Sequence, residues 1–384
     1  MRKKFLFFID ALRYDLISRE YTPFLFSLRE SGKSTRVIPS FGFEPDKAIF
    51  FGLEPEIYNG GMHFQLRKRP NFVYKKLYWV DMLPGRKIWR KALQYSFRII
   101  SRNERFRRTA TLAEIPLEFY GYFEPVEKEM PLNYSPIYRK KSILSLLTQK
   151  RNFDYWGFPY KKINILHPGY YVKQFRKQRL DSVLIYIHQL DGVGHKYGPE
   201  SYETKGVLSR IDQFIQEFIG AFSGESMSIC VFGDHGMAPV KKHFDLISLL
   251  KKLPLKLHID YIYFIDSVFA RFWIFNNNAK KVLLEFLHGI TYGTLINLEE
   301  AKHYNINYKD NRFGDIIFWA KDYVEFFPNF WNISVPSKGM HGYRETCLEN
   351  HTIFIAYSNY NSITLTLKNY SRSPDLYEYL LAIL

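Results

Sequence analysis

The sequence predicts an α/β protein with a mostly parallel central sheet flanked by helices. Three short apolar runs have the pattern of strands buried on both faces, as parallel sheets require: residues 4–10, 182–191 and 228–234. A helical pattern between the second and third runs completes a strand–helix–strand unit. Each of the three runs ends in an aspartate. Ligands of such sheets bind outside the carboxyl ends of the strands, so the aspartates mark a candidate site.

The other elements support the same fold class. Residues 22–32 are predicted to form a helix, with Thr22 as its N-cap and Gly32 beyond its last residue. Residues 351–358 form a fourth apolar run like the other three. The helix predicted within residues 206–224 rests on apolar residues at helical spacing, namely Val207, Ile211, Phe214, Ile215, Phe218, Ile219 and Phe222.

We expect a single catalytic domain over residues 1–384. Two stretches within it do not follow the alternation of strands and helices. Residues 60–140 are rich in Arg, Lys, Pro and Tyr, which indicates a basic cap insertion over one end of the sheet. Residues 255–335 carry a strand–helix–strand pattern that suits a small α+β insertion. The 384 residues are enough for one large domain with insertions of this kind.

Composition restricts the class of protein. Hydrophobic residues make up 46% of the chain and aromatic residues 18%, which excludes disorder. The net charge of +16 indicates an anionic partner. This partner is a phosphorylated small molecule, a lipid-linked substrate, an anionic membrane surface or a nucleic acid. No specific nucleic-acid motif is present. Two cysteines, Cys230 and Cys347, exclude a disulfide framework and a thiolate zinc site.

The first residues do not fit a secretory signal. Asp10 interrupts the initial apolar run, Arg13 and Asp15 follow it, and no small-residue cleavage site is present. No stretch reaches the length of a membrane span. With the low cysteine content, these features predict a cytoplasmic protein that does not cross membranes, and they leave peripheral contact with a membrane open.

Carboxylates and imidazoles recur at predicted strand ends. Asp191 and His195 are separated by a glycine-containing segment, and a tight loop there would turn both towards one point. Each fragment alone suits an N-cap or a turn, but together they suit two divalent ions. Nitrogen ligands favour zinc, or manganese, over magnesium or calcium. The six candidate ligands are Asp10, Asp191, His195, Asp234, His235 and His341.

The fragments "FFIDALRYD", "FFGLEPE", "DGVGHKYGPES", "GDHGM" and "KGMHGY" occur in the order found in one known family. The sequence resembles the alkaline phosphatase superfamily, in its nucleotide pyrophosphatase/phosphodiesterase-like branch (type I phosphodiesterases). The resemblance implies an alkaline-phosphatase-like fold. It also implies that one ion is held by Asp191, His195 and His341 and a second by Asp10, Asp234 and His235. The glycines around Asp234 and His235 are then expected to let the backbone approach the ion.

The nucleophile is the point at which this chain departs from that branch. Its enzymes carry a Thr or Ser about ten residues before the "GL-P" segment, and the unbroken count places Gly42 there. Ser40 is the nearest hydroxyl and the candidate nucleophile, since a metal-bound hydroxyl loses its proton readily. The family's phosphate-binding asparagine is absent, and Lys47 could replace it as a point charge. An N-cap or turn serine and a solvated surface lysine are the structural alternatives, and direct attack by a metal-bound hydroxide is the mechanistic one.

Residues 86–108 hold nine Arg or Lys residues against one Glu. Trp89, Leu93, Phe97 and Ile100 recur at helical spacing, so this segment is predicted to be a basic amphipathic helix. It suits either an anionic membrane surface or a cap helix that packs its apolar stripe on the catalytic domain. The sequence favours the second arrangement, with Arg90 and its basic neighbours facing water.

The resemblance and the ligand pattern predict a dinuclear-metal phosphohydrolase acting on a phosphodiester, pyrophosphate or phosphomonoester bond. Two alternatives remain. A phosphoryl or phosphoglycosyl transferase would use the same metal site, and an inactive homologue would only bind anions or membranes.

Overall fold

The chain folds into two units, and a computed structural model gives the structure of most of it. The residues described are 2–43, 45–70, 72–86, 88–93, 115–126, 141–150, 152–157, 162–360 and 364–384. The first unit comprises Met1–Gly61, Glu129–Val240 and Ser337–Leu384. The second comprises Met62–Lys128 and Lys241–Pro336. The second unit therefore contains parts of residues 60–140 and of residues 255–335, the two stretches that lack the strand pattern of the central sheet.

Strands and helices alternate along the described chain. The strands are β1 (Lys3–Ile9), β2 (Lys33–Ile38), β3 (Phe64–Leu66), β4 (Phe123–Pro125), β5 (Phe153–Trp156), β6 (Ser182–Ile187), β7 (Met227–Gly233), β8 (Ala238–Pro239), β9 (Lys242–Phe244), β10 (Tyr261–Ile265), β11 (Phe269–Ile274), β12 (Gly293–Leu295), β13 (Ile316–Ala320), β14 (Val324–Phe326), β15 (Gly339–Met340), β16 (Thr352–Ser358) and β17 (Tyr370–Arg372). The α-helices are α1 (Pro23–Ser31), α2 (Asp46–Phe51), α3 (Pro55–Tyr58), α4 (Leu117–Tyr120), α5 (Ile143–Thr148), α6 (Pro168–Lys177), α7 (Gln189–Tyr197), α8 (Tyr202–Gly220), α9 (Leu246–Leu250), α10 (Asn277–His288), α11 (Leu298–His303) and α12 (Asp375–Ile383). The 3₁₀-helices are Tyr14–Leu16, Phe72–Met82 and Leu348–Asn350.

A seven-stranded sheet forms the centre of the first unit, in the order β17-β2-β16-β7-β1-β6-β5. Strands β5, β6, β1 and β7 pair in parallel, as do β2 and β17. Strand β16 is antiparallel to both β2 and β7, so β2 runs in the same direction as β7. The predicted mostly parallel α/β fold is confirmed, and the fourth apolar run is the one reversed strand.

Helices cover both faces of this sheet because successive side chains of a strand point to opposite faces. Phe5, Phe7 and Ile9 of β1 pack on one face with helices α1, α6 and α8. Leu6 and Phe8 pack on the other face with helices α2, α5 and α12. The continuous apolar composition of β1 follows from this burial on both sides.

Helix α1 is capped from another element. Thr22 precedes its first residue as predicted, but the Thr22 side chain makes no capping hydrogen bond. The buried carboxylate of Asp212, in α8, instead accepts hydrogen bonds from the backbone N–H groups of Phe24 (3.1 Å) and Leu25 (2.7 Å). An acidic side chain at this position complements the positive end of the helix dipole.

Helix α7 differs from the expected tight loop. Strand β6 ends at Ile187, and Asp191 lies in the first turn of α7. One turn of helix separates Asp191 from His195, so both side chains lie on the same helix face. Gly194 of α7 lets Met237 pack closely against this helix, because a Cβ atom there would lie 3.3 Å from the Met237 side chain.

The second unit contains a four-stranded sheet in the order β10-β11-β13-β12, whose pairs are all antiparallel. The strand–helix–strand pattern read from the sequence is present as β11, α10 and β13, and the sheet has two additional strands, β10 and β12. Strands β9 and β14 pair in parallel, and β3 and β4 pair antiparallel. None of the described helices combines the length and apolar character needed to cross a bilayer.

Candidate metal centre

Two carboxylates lie at the carboxyl end of the central sheet because their strands are neighbours. Asp10 follows β1 and Asp234 follows β7, and β1 pairs directly with β7. Asp234 Oδ1 accepts hydrogen bonds from the backbone N–H groups of Ala11 (3.1 Å) and His235 (2.9 Å). The turn after β1 is thus tied to the turn after β7, and the Asp234 carboxylate is fixed.

His235 is buried and its ring is held in one orientation. Its Nδ1 atom lies 2.7 Å from the carbonyl oxygen of Gly236. A carbonyl only accepts, so Nδ1 carries the proton and Nε2 is left as the ligand atom. Nε2 lies 3.5 Å from Asp10 Oδ1 and 3.6 Å from Asp234 Oδ2.

The glycines around Asp234 and His235 are required by packing, and their expected role of letting the backbone approach an ion stays a prediction. A Cβ atom on Gly233 would lie 2.1 Å from Thr352 Oγ1. One on Gly236 would lie 2.2 Å from the carbonyl oxygen of Glu349 and 2.6 Å from that of His351. Glycine is therefore required because the turn packs directly against the segment leading into β16.

A second set of ligand atoms comes from α7 and the loop after β15. His195 Nε2 lies 3.2 Å from Asp191 Oδ1, and His195 Nδ1 lies 2.8 Å from the carbonyl oxygen of Gly339. Strand β15 pairs with β8, just beyond His235, and this pairing carries His341 to the site. The rings of His235 and His341 stack at 3.7 Å with an interplanar angle of 8°. His341 Nε2 lies 3.9 Å from Asp191 Oδ1.

Two overlapping groups of possible ligand atoms result among the described residues. Asp10, Asp234 and His235 form one group, in which the atoms lie within 4.8 Å of one another. Asp191, His235 and His341 form the other by the same measure. The first group has the composition expected from the sequence. The second contains His235 where the sequence expectation has His195, and His195 lies beside this group through its contact with Asp191.

Burial and mutual repulsion act on the carboxylates after β1 and β7. Burial raises the pKa of Asp234 to about 7, although the hydrogen bonds from Ala11 and His235 lower it. Burial also raises the pKa of Asp10, and the charges of Asp234 and Asp191 raise it further. A divalent cation between such carboxylates would favour the ionised form of both. Three carboxylates and three imidazoles are a donor set that fits transition-metal ions.

In α7, the attraction between Asp191 and His195 favours the charged forms of both side chains, in contrast to the carboxylates after β1 and β7. Burial lowers the pKa of the His195 imidazole, but the Asp191 carboxylate outweighs it and raises this pKa to about 9. Burial acts to raise the pKa of Asp191, while His195 and His341 hold it below its usual range. Asp191 is thus an ionised ligand candidate that already has a partner.

Tyr186 belongs to the site although the sequence analysis did not single it out. Its hydroxyl donates a hydrogen bond to Asp10 Oδ2 at 2.5 Å. The ring stacks on Phe8 at 4.7 Å, and Phe8 stacks on Phe232 at 5.2 Å, because the register places these three residues side by side on β6, β1 and β7. The only available signal was a hydroxyl-bearing residue in the apolar run "SVLIYI".

Ser40 and Lys47 are both buried, so Lys47 is not the solvated lysine of the structural alternative, whereas burial agrees equally with a turn serine at Ser40. The backbone N–H of Ser40 donates to Ser373 Oγ at 3.1 Å, whereas the Ser40 hydroxyl has no hydrogen-bond partner within the described structure. Gly42 has a φ of 98°, and a Cβ atom there would lie 1.6 Å from the Gly61 carbonyl oxygen. A side chain therefore cannot be accommodated where the unbroken count places the family's nucleophile.

Comparison with known proteins agrees with this geometry. The family model described as "Type I phosphodiesterase / nucleotide pyrophosphatase" matches residues 139–344. Mouse ectonucleotide pyrophosphatase/phosphodiesterase family member 7 is 33% identical over 85 residues, which are 21% of this chain and 19% of that protein. GPI ethanolamine phosphate transferase 3 of Eremothecium gossypii is 34% identical over 67 residues, 17% of this chain and 6% of the transferase. The chain thus matches about a fifth or less of the length of these curated relatives.

Solved structures share the whole fold. Human ectonucleotide pyrophosphatase/phosphodiesterase 5 superposes with a TM-score of 0.67 at 16% identity, over 100% of this chain and 96% of that one. An inactive variant of the murine protein in complex with AMP gives a TM-score of 0.63 at 15% identity, over 100% and 96% of the two chains. At this identity the likeness establishes the fold.

Proposed function

The chain belongs to the type I phosphodiesterase/nucleotide pyrophosphatase family, and from this premise we propose that it is a dinuclear-metal phosphohydrolase. Its substrate would carry a phosphodiester or pyrophosphate bond. The observation that supports this proposal is the pair of overlapping ligand groups that share His235 at the carboxyl end of the sheet. Two bound divalent cations, zinc or manganese, would polarise the phosphoryl oxygens and activate the attacking oxygen.

The chain's own residues would orient these ligands. The proton on His235 Nδ1 is directed to Gly236, and the Nδ1 atom of His195 contacts Gly339. Backbone carbonyls that hold the far nitrogen of a ligating imidazole fix its tautomer and ring orientation. The Asp234 carboxylate is held by two backbone N–H groups through one oxygen, which leaves Oδ2 for a cation.

We propose Ser40 as the nucleophile. Its hydroxyl is buried and has no hydrogen-bond partner within the described residues. It follows β2, which ends at the same edge of the sheet as β1 and β7. In the first step Ser40 Oγ would bond to phosphorus while the bond to the leaving oxygen breaks, and water would then cleave the phosphoserine. The buried Lys47 amine would contact the phosphate as a point charge.

Nucleotides are the first substrate class to test, since a structural relative is known in complex with AMP. We expect hydrolysis of bis-p-nitrophenyl phosphate and of a nucleoside pyrophosphate when zinc or manganese is added. Asp234→Asn should lower kcat by about 10²–10³-fold. Asp310→Asn, which changes an exposed aspartate of the second unit, is the matched control and should be neutral.

Two outcomes would contradict this function. No turnover with either metal would favour an inactive homologue. Turnover only when an acceptor alcohol is supplied would favour a transferase.

Ser40 requires its own experiment. Ser40→Ala should lower kcat by about 10³-fold or more, and quenched turnover should trap a phosphorylated Ser40 peptide for mass spectrometry. Ser34→Ala, in the preceding strand β2, is the control. An unaltered kcat in Ser40→Ala would mean that water attacks phosphorus directly, and hydrolysis itself would stand.

A further inference from the structure

Large apolar side chains are exposed together on one short segment of the second unit. Fifteen such side chains are exposed among the described residues, and five of them lie within residues 78–89. These five side chains form what we call the interfacial patch: Tyr78, Trp79, Met82, Ile88 and Trp89. Met82 and Ile88 are 78% and 73% exposed. Exposed apolar residues usually occur singly, whereas a group of them marks an interaction site.

The segment is anchored so that the patch faces outward. Val80 is buried beside exposed neighbours. Asp81 Oδ2 accepts a hydrogen bond from the backbone N–H of Leu117 at 2.7 Å, and Asp81 Oδ1 pairs with the guanidinium of Arg90. This ion pair, whose Arg90 side is buried, therefore links the 3₁₀-helix to the helical residues 88–93.

The structure reverses the orientation that the sequence analysis favours for this segment. Trp89 was expected to pack on the protein and Arg90 to face water. Trp89 is 52% exposed, whereas Arg90 is only 5% exposed. The reversal follows from Asp81, which provides Arg90 with a charged partner. Phe97 and Ile100, the other end of the predicted stripe, lie outside the described residues.

The surroundings of the patch are cationic. Residues 76–93 contain five Lys or Arg residues and one acid, Asp81. That acid is paired with Arg90, while Lys76 and Lys91 are exposed. Tryptophan and tyrosine favour the headgroup region of a bilayer, and neighbouring cations attract anionic lipids.

We propose that the interfacial patch docks this protein on an anionic lipid bilayer. The two most exposed members decide between a bilayer and a nucleic acid. Single-stranded nucleic acids stack their bases on aromatic rings, but Met82 and Ile88 are aliphatic. Aliphatic side chains beside tryptophans suit insertion at the boundary between headgroups and acyl chains. This inference does not depend on the proposed hydrolysis.

The test is flotation of the full chain with vesicles of phosphatidylcholine and phosphatidylserine at a ratio of about 3:1, against phosphatidylcholine alone. The wild type should float with the anionic vesicles and should be released as salt rises. Met82→Ser with Ile88→Ser should lower the partition coefficient by about tenfold or more. The matched control is Ile259→Ser with Leu298→Ser, since these apolar residues of the second unit are also exposed. It should float like the wild type.

A charge variant provides a second, independent reading. Lys91→Glu should lower the partition coefficient by about thirtyfold on anionic vesicles, from a change of two charges near the surface. Circular dichroism and hydrolysis of a soluble phosphodiester should not change in any of these variants.

Failure of the wild type to float at low salt would overturn the proposal, as would equal flotation of wild type and Met82→Ser with Ile88→Ser. Loss of oligonucleotide binding in that variant, with flotation retained, would assign the patch to nucleic acid. If the wild type is a dimer and Met82→Ser with Ile88→Ser is a monomer, again with flotation retained, the patch would be assigned to a second copy of the chain.

Discussion

The hydroxyl of Tyr186 donates a hydrogen bond to Asp10 Oδ2 over 2.5 Å, across the pairing of β6 with β1. The Tyr186 ring is held by its stack on Phe8. The carboxylate is thereby oriented from one side by a phenol, while its other oxygen faces His235 Nε2 at 3.5 Å. Tyr186 is a positioning residue, because it acts on the site through Asp10.

Replacing Tyr186 with Phe should weaken cation binding at this group and leave the fold intact. The ring would keep its stack, whereas Asp10 would lose the partner that orients it. Loss of such a partner typically weakens metal affinity by about 10–100-fold. Titration of zinc against a competing chelator measures this effect without relying on activity. Tyr357→Phe, which changes a partly buried tyrosine packed on the core, is the control, and equal affinities in both variants would refute the role.

Gly236→Ala should destabilise the protein by about 2–3 kcal/mol. The new Cβ atom would lie 2.2 Å and 2.6 Å from two backbone carbonyl oxygens, which cannot move aside as a flexible side chain would. Gly192→Ala is the matched control in α7, since a Cβ atom there meets nothing within 4 Å, and it should be neutral or stabilising by up to about 1 kcal/mol. Urea unfolding in the presence of chelator compares the two. Similar unfolding free energies would contradict the packing role of Gly236.

Asp212 should make the stability of the wild type depend on pH. Burial raises the pKa of its carboxyl above the usual value of 3.8, because the hydrogen bonds from Phe24 and Leu25 offset only part of the desolvation. A group whose pKa is raised by folding contributes stability that is full below the unfolded pKa and is lost as pH rises through the folded one. The wild type should therefore lose stability relative to Asp212→Asn as pH rises above about 4.

Unfolding free energies of wild type and Asp212→Asn at several pH values check this sign. Glu217→Gln, in the same helix α8 and exposed, is the control and should give a difference from the wild type that does not follow this trend. A wild type that gains stability over Asp212→Asn with rising pH would contradict the direction of the shift.

The sequence was sufficient to predict those candidate ligands that come directly after a strand. Asp10 and Asp234 end adjacent parallel strands, and the topology of a parallel sheet brings such ends to one edge. His235 follows Asp234 and was predicted for the same reason. The order of the matching fragments then indicated the family, and the family match confirms it.

Other features depend on contacts between distant residues, which a single sequence does not reveal. The contact of Tyr186 with Asp10 joins residues 176 positions apart and depends on the register of β6 with β1. The turn glycines are explained by the backbone that packs against them. The outward orientation of Trp89 depends on the ion pair of Arg90 with Asp81, and helical periodicity alone cannot supply that partner.

The ligand groups at the carboxyl end of the central sheet predict a centre of two cations, which a measurement of metal content tests. Protein stripped with chelator, reconstituted with zinc and freed of excess metal should hold about two ions per chain by elemental analysis. His235→Ala should lose at least one ion, because the group of Asp10, Asp234 and His235 would be incomplete without its imidazole. His195→Ala should keep at least one ion, since the group of Asp10, Asp234 and His235 remains complete. A wild type without metal, or a His235→Ala protein that still holds two ions, would contradict a two-cation centre at these residues.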